Sequence, residues 1–346
     1  MNKRILYVDY VFQKGHVNFN RIQIEALKAD GYDVNIVVHR DVAAQLPFAA
    51  ADYALVLPSW LNKREGHFVL NRFIFLFTLL LIKLVVRPQR YRHVVVAGCD
   101  EPTLCLLPLC KGMNIVLHDS ATVYNKYKGW CLKRLARRNS FLVFDDYMAE
   151  PLHRAGIHSV DVISHGCVPA FWVKPAVPAS VAEGGNYSRL VYHPSTKVDE
   201  AFLRKMMTDA ALQKYLDDNG ILMVFQGHAP EGVPCPRGIR FVDRYLSMDE
   251  YRGMFLAADV VFVAYSTDFQ RQVSGVSYEC VANGKPMVAL EHPALEYCAG
   301  FFNYNPFVKS VDELIHKLQS LFSDPSLGCT ATPQSLAPHY KTVFEK

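Results

Sequence analysis

The residues best suited to chemistry concentrate in Tyr265–Leu290, which reads YSTDFQRQVSGVSYECVANGKPMVAL. An apolar run ends at Ala264, a polar loop follows, and Ser274, Gly275 and Val276 open a helix that carries Glu279 and closes at Asn283-Gly284. The first N–H groups of a helix have no partner inside it and lie at the positive end of its dipole, so this turn can cradle a diphosphate. Gly275 lets backbone approach a ligand, Arg271 supplies a cation just before the cradle, and Glu279 can accept hydrogen bonds from ribose hydroxyls. The same residues also describe an ordinary strand, loop and helix with a serine cap.

Other chemistries find little support. The sequence has no D-x-D at a strand end, no H-E-x-x-H and no cysteine cluster, so no metal or other cofactor is expected. It also lacks a Walker-A loop, a G-x-S-x-G elbow and a dinucleotide G-x-G-x-x-G, which weakens kinase, hydrolase and dehydrogenase readings. Lys and Arg number 37 against 33 Asp and Glu, a bias too small to imply a nucleic-acid partner. The nine cysteines show no C-x-x-C pair, as expected of a reduced, cytoplasmic compartment. Asp100-Glu101 precedes Pro102 and reads first as a helix cap.

The elements that must position these residues alternate. With 51% hydrophobic and 20% charged residues, the 346-residue chain is long enough for two domains. Strands are predicted at 5–10, 33–38, 53–57, 93–97, 114–117, 141–144 and 160–163, the first two joined by a helix over 18–29. Residues 168–188 are rich in proline and read as a linker. A second series has strands at 190–193, 221–226, 239–242, 259–264 and 286–290, with helices near 199–217, 247–257, 276–283 and 311–323. The expected fold is α/β, with two Rossmann-like domains facing an interdomain cleft: 1–167, linker 168–188 and 189–330. Residues 331–346 form a tail that packs back on the first domain. Ligands in such sheets lie beyond the carboxyl ends of the strands.

Ala258, Asp259, Val260 and Val261, then the phosphate turn, Glu279, and Ala282, Gly284, Lys285, Pro286, Met287 and Val288 together resemble the C-terminal signature of GT-B fold glycosyltransferases, especially family 4-like enzymes. Phe241–Asp259 resembles the segment that reads the nucleobase in that family, and adds Arg244 to the donor-binding candidates. The family's first glutamate, eight positions before the second, is Arg271 here, which leaves the donor sugar and the stereochemical course open. The resemblance implies Lys197, in His193-Pro194-Ser195-Thr196-Lys197, as a further phosphate ligand. It also implies His16, in a Lys14-Gly15-His16-Val17 loop, and His118, at the end of a strand, as catalytic candidates. An imidazole of ordinary pKa, about 6.5, can donate to a sugar hydroxyl or exchange a proton near neutrality, and Asp119 beside it acts as a base or caps the next helix.

Two segments point to a membrane. Phe68–Val86 has an apolar centre, 73–82, too short to span and suited to a core helix or an interfacial one. Lys126–Arg138, KYKGWCLKRLARR, carries six cations and no acid beside Tyr127 and Trp130. The N-terminus has no signal-peptide pattern. The combined expectation is a metal-independent, hexosyltransferase-like enzyme attached peripherally to the cytoplasmic face of a membrane. It would move a sugar from a nucleotide sugar to a lipid-linked or glycan acceptor, as in bacterial surface polysaccharide synthesis. The alternatives are a sugar-nucleotide epimerase or hydrolase of the same fold, and a catalytically degenerate binding subunit.

Overall fold

The computed structural model describes residues 3–11, 16–178, 181 and 187–345. Two compact units emerge: Met1–Gly166 with Arg271–Val273 and Leu336–Lys346, and Cys167–Gln270 with Ser274–Ser335.

The first unit is built on seven parallel strands: β1 (Arg4–Asp9), β2 (Asp33–His39), β3 (Tyr53–Leu57), β4 (His93–Gly98), β5 (Met113–Val116), β6 (Ser140–Val143) and β7 (Val160–Val162), in the order β3-β2-β1-β4-β5-β6-β7. Strands covered on both faces read as continuous apolar runs, and Ile5, Leu6, Tyr7 and Val8 are wholly buried. The crossover helices are α1 (His16–Ala29), α2 (Arg40–Ala43), α3 (Phe68–Val85), α4 (Glu101–Leu106), α5 (Lys126–Ala136) and α6 (Asp146–Arg154). Asp100 caps α4 by accepting from the Thr103 N–H at 3.1 Å.

Helix α3 runs well past its expected centre. Its 18 residues have a mean hydropathy of 2.2, long and apolar enough to cross a membrane, yet one stripe of them is buried within the protein. Asn71, Ile74, Phe75, Thr78, Leu79 and Ile82 recur at helical spacing and form the buried stripe. The opposite face leaves Phe68, Val69, Leu70, Phe73, Phe77, Leu80, Leu84 and Val85 exposed.

The second unit has six parallel strands: β8 (Arg189–His193), β9 (Ile221–Gln226), β10 (Ile239–Val242), β11 (Val260–Val263), β12 (Met287–Leu290) and β13 (Phe307–Val308), in the order β10-β9-β8-β11-β12-β13. The two-residue β13 carries too little pattern to be read from sequence. The helix expected near 199–217 is two, α7 (Glu200–Thr208) and α8 (Ala210–Asp218), because the Asp209 side chain accepts from the Leu212 N–H and starts a new helix. Then come α9 (Met248–Ala257), α10 (Gly275–Ala282) and α11 (Val311–Ser323).

Residues expected to form a linker group with the second unit up to 178: the Phe171 N–H donates to Asn283 Oδ1, and the Ala176 N–H to the Gly253 carbonyl. Of the rest of that stretch, 179, 180 and 182–186 lie outside the described residues. Leu336–Lys346, with α12 (Lys341–Phe344), groups with the first unit, where Tyr340 is buried and donates to Gln23 Oε1 at 2.7 Å.

Both sheets change the direction of their strand order once, between β1 and β4 and between β8 and β11. At such a point the loops leave the carboxyl ends of adjacent strands in opposite directions, which opens a crevice for a ligand.

Candidate functional site

In the first unit the switch point carries a buried polar cluster. Asp9 ends β1 and His16 opens α1; Lys14 and Gly15, expected in a loop with it, lie outside the described residues. His16 Nδ1 is 3.2 Å from Asp9 Oδ2, which also accepts from Asn20 Nδ2 at 2.8 Å, and Asn20 Oδ1 in turn accepts from the Tyr7 hydroxyl. Burial works against the Asp9 charge, but hydrogen bonds from His16 and Asn20 outweigh it and hold the carboxyl below its ordinary pKa. Gly98, which ends β4, makes room for this carboxylate: a Cβ there would lie 2.5 Å from Asp9 Oδ1.

The His118 ring packs at a tilt on His16, centroids 4.4 Å apart, and edge-to-face on Phe19 at 4.7 Å, and Phe19 and Phe144 also pack on His165. The expectation of an ordinary imidazole at His118 is corrected here. Burial, reinforced by His16, lowers its pKa to about 3, and Nε2–H is committed to the Ala97 carbonyl at 2.8 Å. A neutral ring so held offers Nδ1 as an acceptor and neither titrates near neutrality nor donates to a sugar. Asp119 Oδ1 accepts from the Ala121 N–H at 2.8 Å, so it caps the short helical turn that follows.

A cavity of about 320 Å³ opens beside this cluster, lined among others by Val11, Phe68, Arg72, Asp100, Glu101, His118 and Lys128. Glu101, read as part of a cap, is a wall residue that accepts from Thr122 Oγ1 and pairs with Lys128 at 3.2 Å. Carboxylates alternating with cations on an apolar floor suit a polyhydroxylated ligand carrying negative charge. Asp9 escaped the sequence reading because its partners, His16 and Asn20, lie on another element, and Glu101 was read only as a cap because Thr122 and Lys128 reach it from elsewhere in the chain.

In the second unit, Lys197 follows β8, and its Nζ lies 5.4 Å from the Phe269 ring in the loop after β11. Phe269 stacks on Tyr265 at 4.0 Å, and the Tyr265 hydroxyl meets Ser274 Oγ at 2.6 Å. These contacts tie Lys197 to the start of α10. The Ser274 side chain does not cap that helix, and its N–H donates to the Tyr297 hydroxyl, leaving the helical N–H groups from Gly275 onward as the cradle. Gly275 is exposed with open space in front of it, and Val276 is half-buried.

Glu279 sits one turn further in and accepts from the Tyr251 hydroxyl at 2.5 Å. Burial raises its pKa to about 7, despite that hydrogen bond. Arg244 is held by both guanidinium arms against Glu250, at 3.0 and 2.5 Å. This exposed pair stands at the start of α9, where a donor contact was expected.

Arg271 departs furthest from expectation. It belongs to the first unit, adopts a left-handed backbone (φ 53°), and donates to the Tyr147 carbonyl at 2.6 Å and to Glu150 Oε2 at 2.7 Å, with its guanidinium 3.9 Å from the Tyr147 ring. Its ionic partner is a carboxylate of the protein itself, so it carries an ion pair where a diphosphate contact was expected. Among the described residues, no group of three or more His, Cys, Asp or Glu is arranged to hold a metal.

Two Rossmann-like units with these switch-point loops define an α/β protein of the GT-B fold. Solved structures agree. A UDP-forming α,α-trehalose-phosphate synthase from Burkholderia xenovorans is 9% identical, with a TM-score of 0.55 over 94% of this chain and 92% of that one. The N-terminal domain of trehalose-6-phosphate phosphatase from Candida albicans is 10% identical, with a TM-score of 0.53 over 97% and 95%. Arabidopsis thaliana UGT89C1 complexed with UDP-L-rhamnose is 12% identical, with a TM-score of 0.50 over 85% and 80%. At such identities the likeness is one of fold. No family profile matches the chain, and no curated protein matches it in sequence.

Proposed function

We propose that the protein is a family 4-like glycosyltransferase that moves a sugar from a nucleoside-diphosphate donor to a membrane-held glycan acceptor. The observation that carries this reading is the open α10 start, with Lys197 tied to it through Phe269, Tyr265 and Ser274. Helix N–H groups and a lysine stabilise the diphosphate leaving group without a metal. Glu279 holds the ribose. Tyr245, 94% exposed just after β10, offers a face on which a base can stack.

In the first unit, Asp9 accepts the Nδ1 proton of His16, which leaves His16 Nε2 to take the proton of the acceptor hydroxyl as it attacks. Neutral His118 packs against His16 and keeps it in place. The exposed face of α3 and the basic run of α5 hold the enzyme peripherally on the cytoplasmic side, where a lipid-linked glycan for a surface polysaccharide is elongated.

The deciding experiment is a calorimetric and thermal-shift panel of UDP, GDP, CDP and TDP. Binding of one of them, weakened in Lys197→Ala, supports the donor site; binding of none overturns the transferase reading in favour of a binding subunit, the role that the Arg271–Glu150 pair at the family's acidic position would fit. Turnover of a nucleotide sugar without any acceptor would instead mark an epimerase or hydrolase.

A further inference from the structure

The first unit holds a second cavity, of about 550 Å³, at the opposite end of its sheet. It lies between the loop that precedes β5 and the end of α5 that precedes β6, whereas the catalytic cluster lies at the carboxyl ends of the strands. Lys83, Lys111, Arg134, Arg137 and Arg138 line it, and no aspartate or glutamate does. None of these five cations has a carboxylate partner within salt-bridge distance among the described residues, although Lys83 Nζ donates to the Pro108 carbonyl at 2.8 Å. Five cations gathered without an acid are electrostatically unfavourable unless an anion joins them.

The surroundings say which anion. Lys83 belongs to α3, and the residues after it, Leu84 and Val85, are 66% and 55% exposed. Leu106, on the cavity wall, is 67% exposed. Arg134 lies over the ring of Trp130, itself 54% exposed on the same helix. Apolar side chains flanking a cationic hollow match a phospholipid, whose phosphate enters the hollow while its chains meet the apolar rim.

We propose that this cavity binds the phosphate headgroup of an anionic phospholipid. The inference rests on the membrane attachment proposed above and assigns it a site and a lipid class. Phe68 and Arg72, at the start of α3, line the catalytic cavity, and Lys83, near its end, lines the headgroup cavity. At about 1.5 Å per residue, α3 separates the two by roughly 20 Å. A helix lying flat on the bilayer with its exposed face inward therefore sets both cavities at the same surface, the first open to a lipid-linked acceptor.

The test is co-sedimentation of the full chain with vesicles of phosphatidylcholine alone, or mixed with phosphatidylglycerol at roughly two to one. R137Q/R138Q removes two cations from the cavity, and K126Q/K133Q removes two from the same basic run outside it. Wild type should prefer the anionic vesicles, with at least a roughly ten-fold loss of partition in the cavity variant and less than about three-fold in the other. Equal losses in the two variants, or no loss in the cavity variant, would overturn the site while leaving membrane attachment standing. Wild type that binds neither vesicle would overturn both. Inorganic phosphate separates the sources: phosphate binding seen by calorimetry and lost in R137Q/R138Q, with no preference of wild type for anionic vesicles, would show a site for free phosphate and overturn the lipid assignment, whereas a preference for anionic vesicles that phosphate weakens at constant ionic strength supports it. UDP binding by both variants should equal that of wild type, since neither pair touches the donor loops.

Discussion

Asp9 Oδ2 lies 3.2 Å from His16 Nδ1, and the two residues come from different elements, the end of β1 and the start of α1. A buried carboxylate that accepts the imidazole Nδ1–H fixes both ring tautomer and ring direction, the arrangement a general base requires. His16→Ala should lower the transfer rate by about two to four orders of magnitude, and Asp9→Asn by less, with nucleotide affinity unchanged in both. Calorimetry beside initial rates separates the two effects; a fall in nucleotide affinity would count against the role given to the pair.

The same carboxylate constrains β4. Gly98→Ala should destabilise the protein by about 2 kcal/mol or more, because its Cβ would lie 2.5 Å from Asp9 Oδ1 in a packed interior. Urea unfolding measures this directly, and a neutral result would mean that the Asp9 side chain can move.

At the donor loops, Lys197→Ala should weaken nucleoside-diphosphate binding about ten-fold. Arg271→Ala should leave it within about two-fold and instead lower the melting temperature slightly, since Glu150 is exposed and water screens the pair. A large affinity loss in Arg271→Ala would show that the Glu150 pair opens when the donor binds.

Stability should fall on acidification. Burial lowers His118 to about 3 and His165 to about 4, below the unfolded value of 6.5. The unfolded chain therefore binds more protons between those values, and stability is lost as pH drops below about 6.5, by about 2 kcal/mol per histidine at pH 5. Glu279 acts in the opposite direction: its pKa of about 7 exceeds the ordinary value of 4.5, so folding is penalised increasingly as pH rises from 4.5 to 7. Glu279→Gln should thus gain stability relative to wild type at pH 8 and less so at pH 5. Thermal melts of both proteins across this range check the sign.

Replacing Phe73, Phe77 and Leu84 by serine should reduce vesicle binding about ten-fold or more while leaving the melting temperature nearly unchanged, since all three are exposed. A collapse in stability would show that this face packs within the protein.

Much of the scaffold was legible in the residues. The alternation of short apolar runs with amphipathic segments located twelve of the thirteen strands among the described residues, because parallel strands buried on both faces must be apolar throughout. The α10 start was legible too: a strand, a polar loop and Ser274-Gly275 specify a helix N-terminus from local chemistry alone. The alternating exposure of α3 followed from its composition only in part, since apolar residues surround the helix and packing chose which stripe to bury.

What the chain determined by itself is therefore local: which segments become strands and helices, and where free N–H groups and cations stand near their ends. Tertiary structure decided the partners. It gave Arg271 to Glu150 and Arg244 to Glu250, set Asp9 behind His16, and buried His118 until its pKa left the neutral range. Propensity and periodicity act over a few residues, whereas ion pairing and desolvation depend on side chains brought together from across the fold.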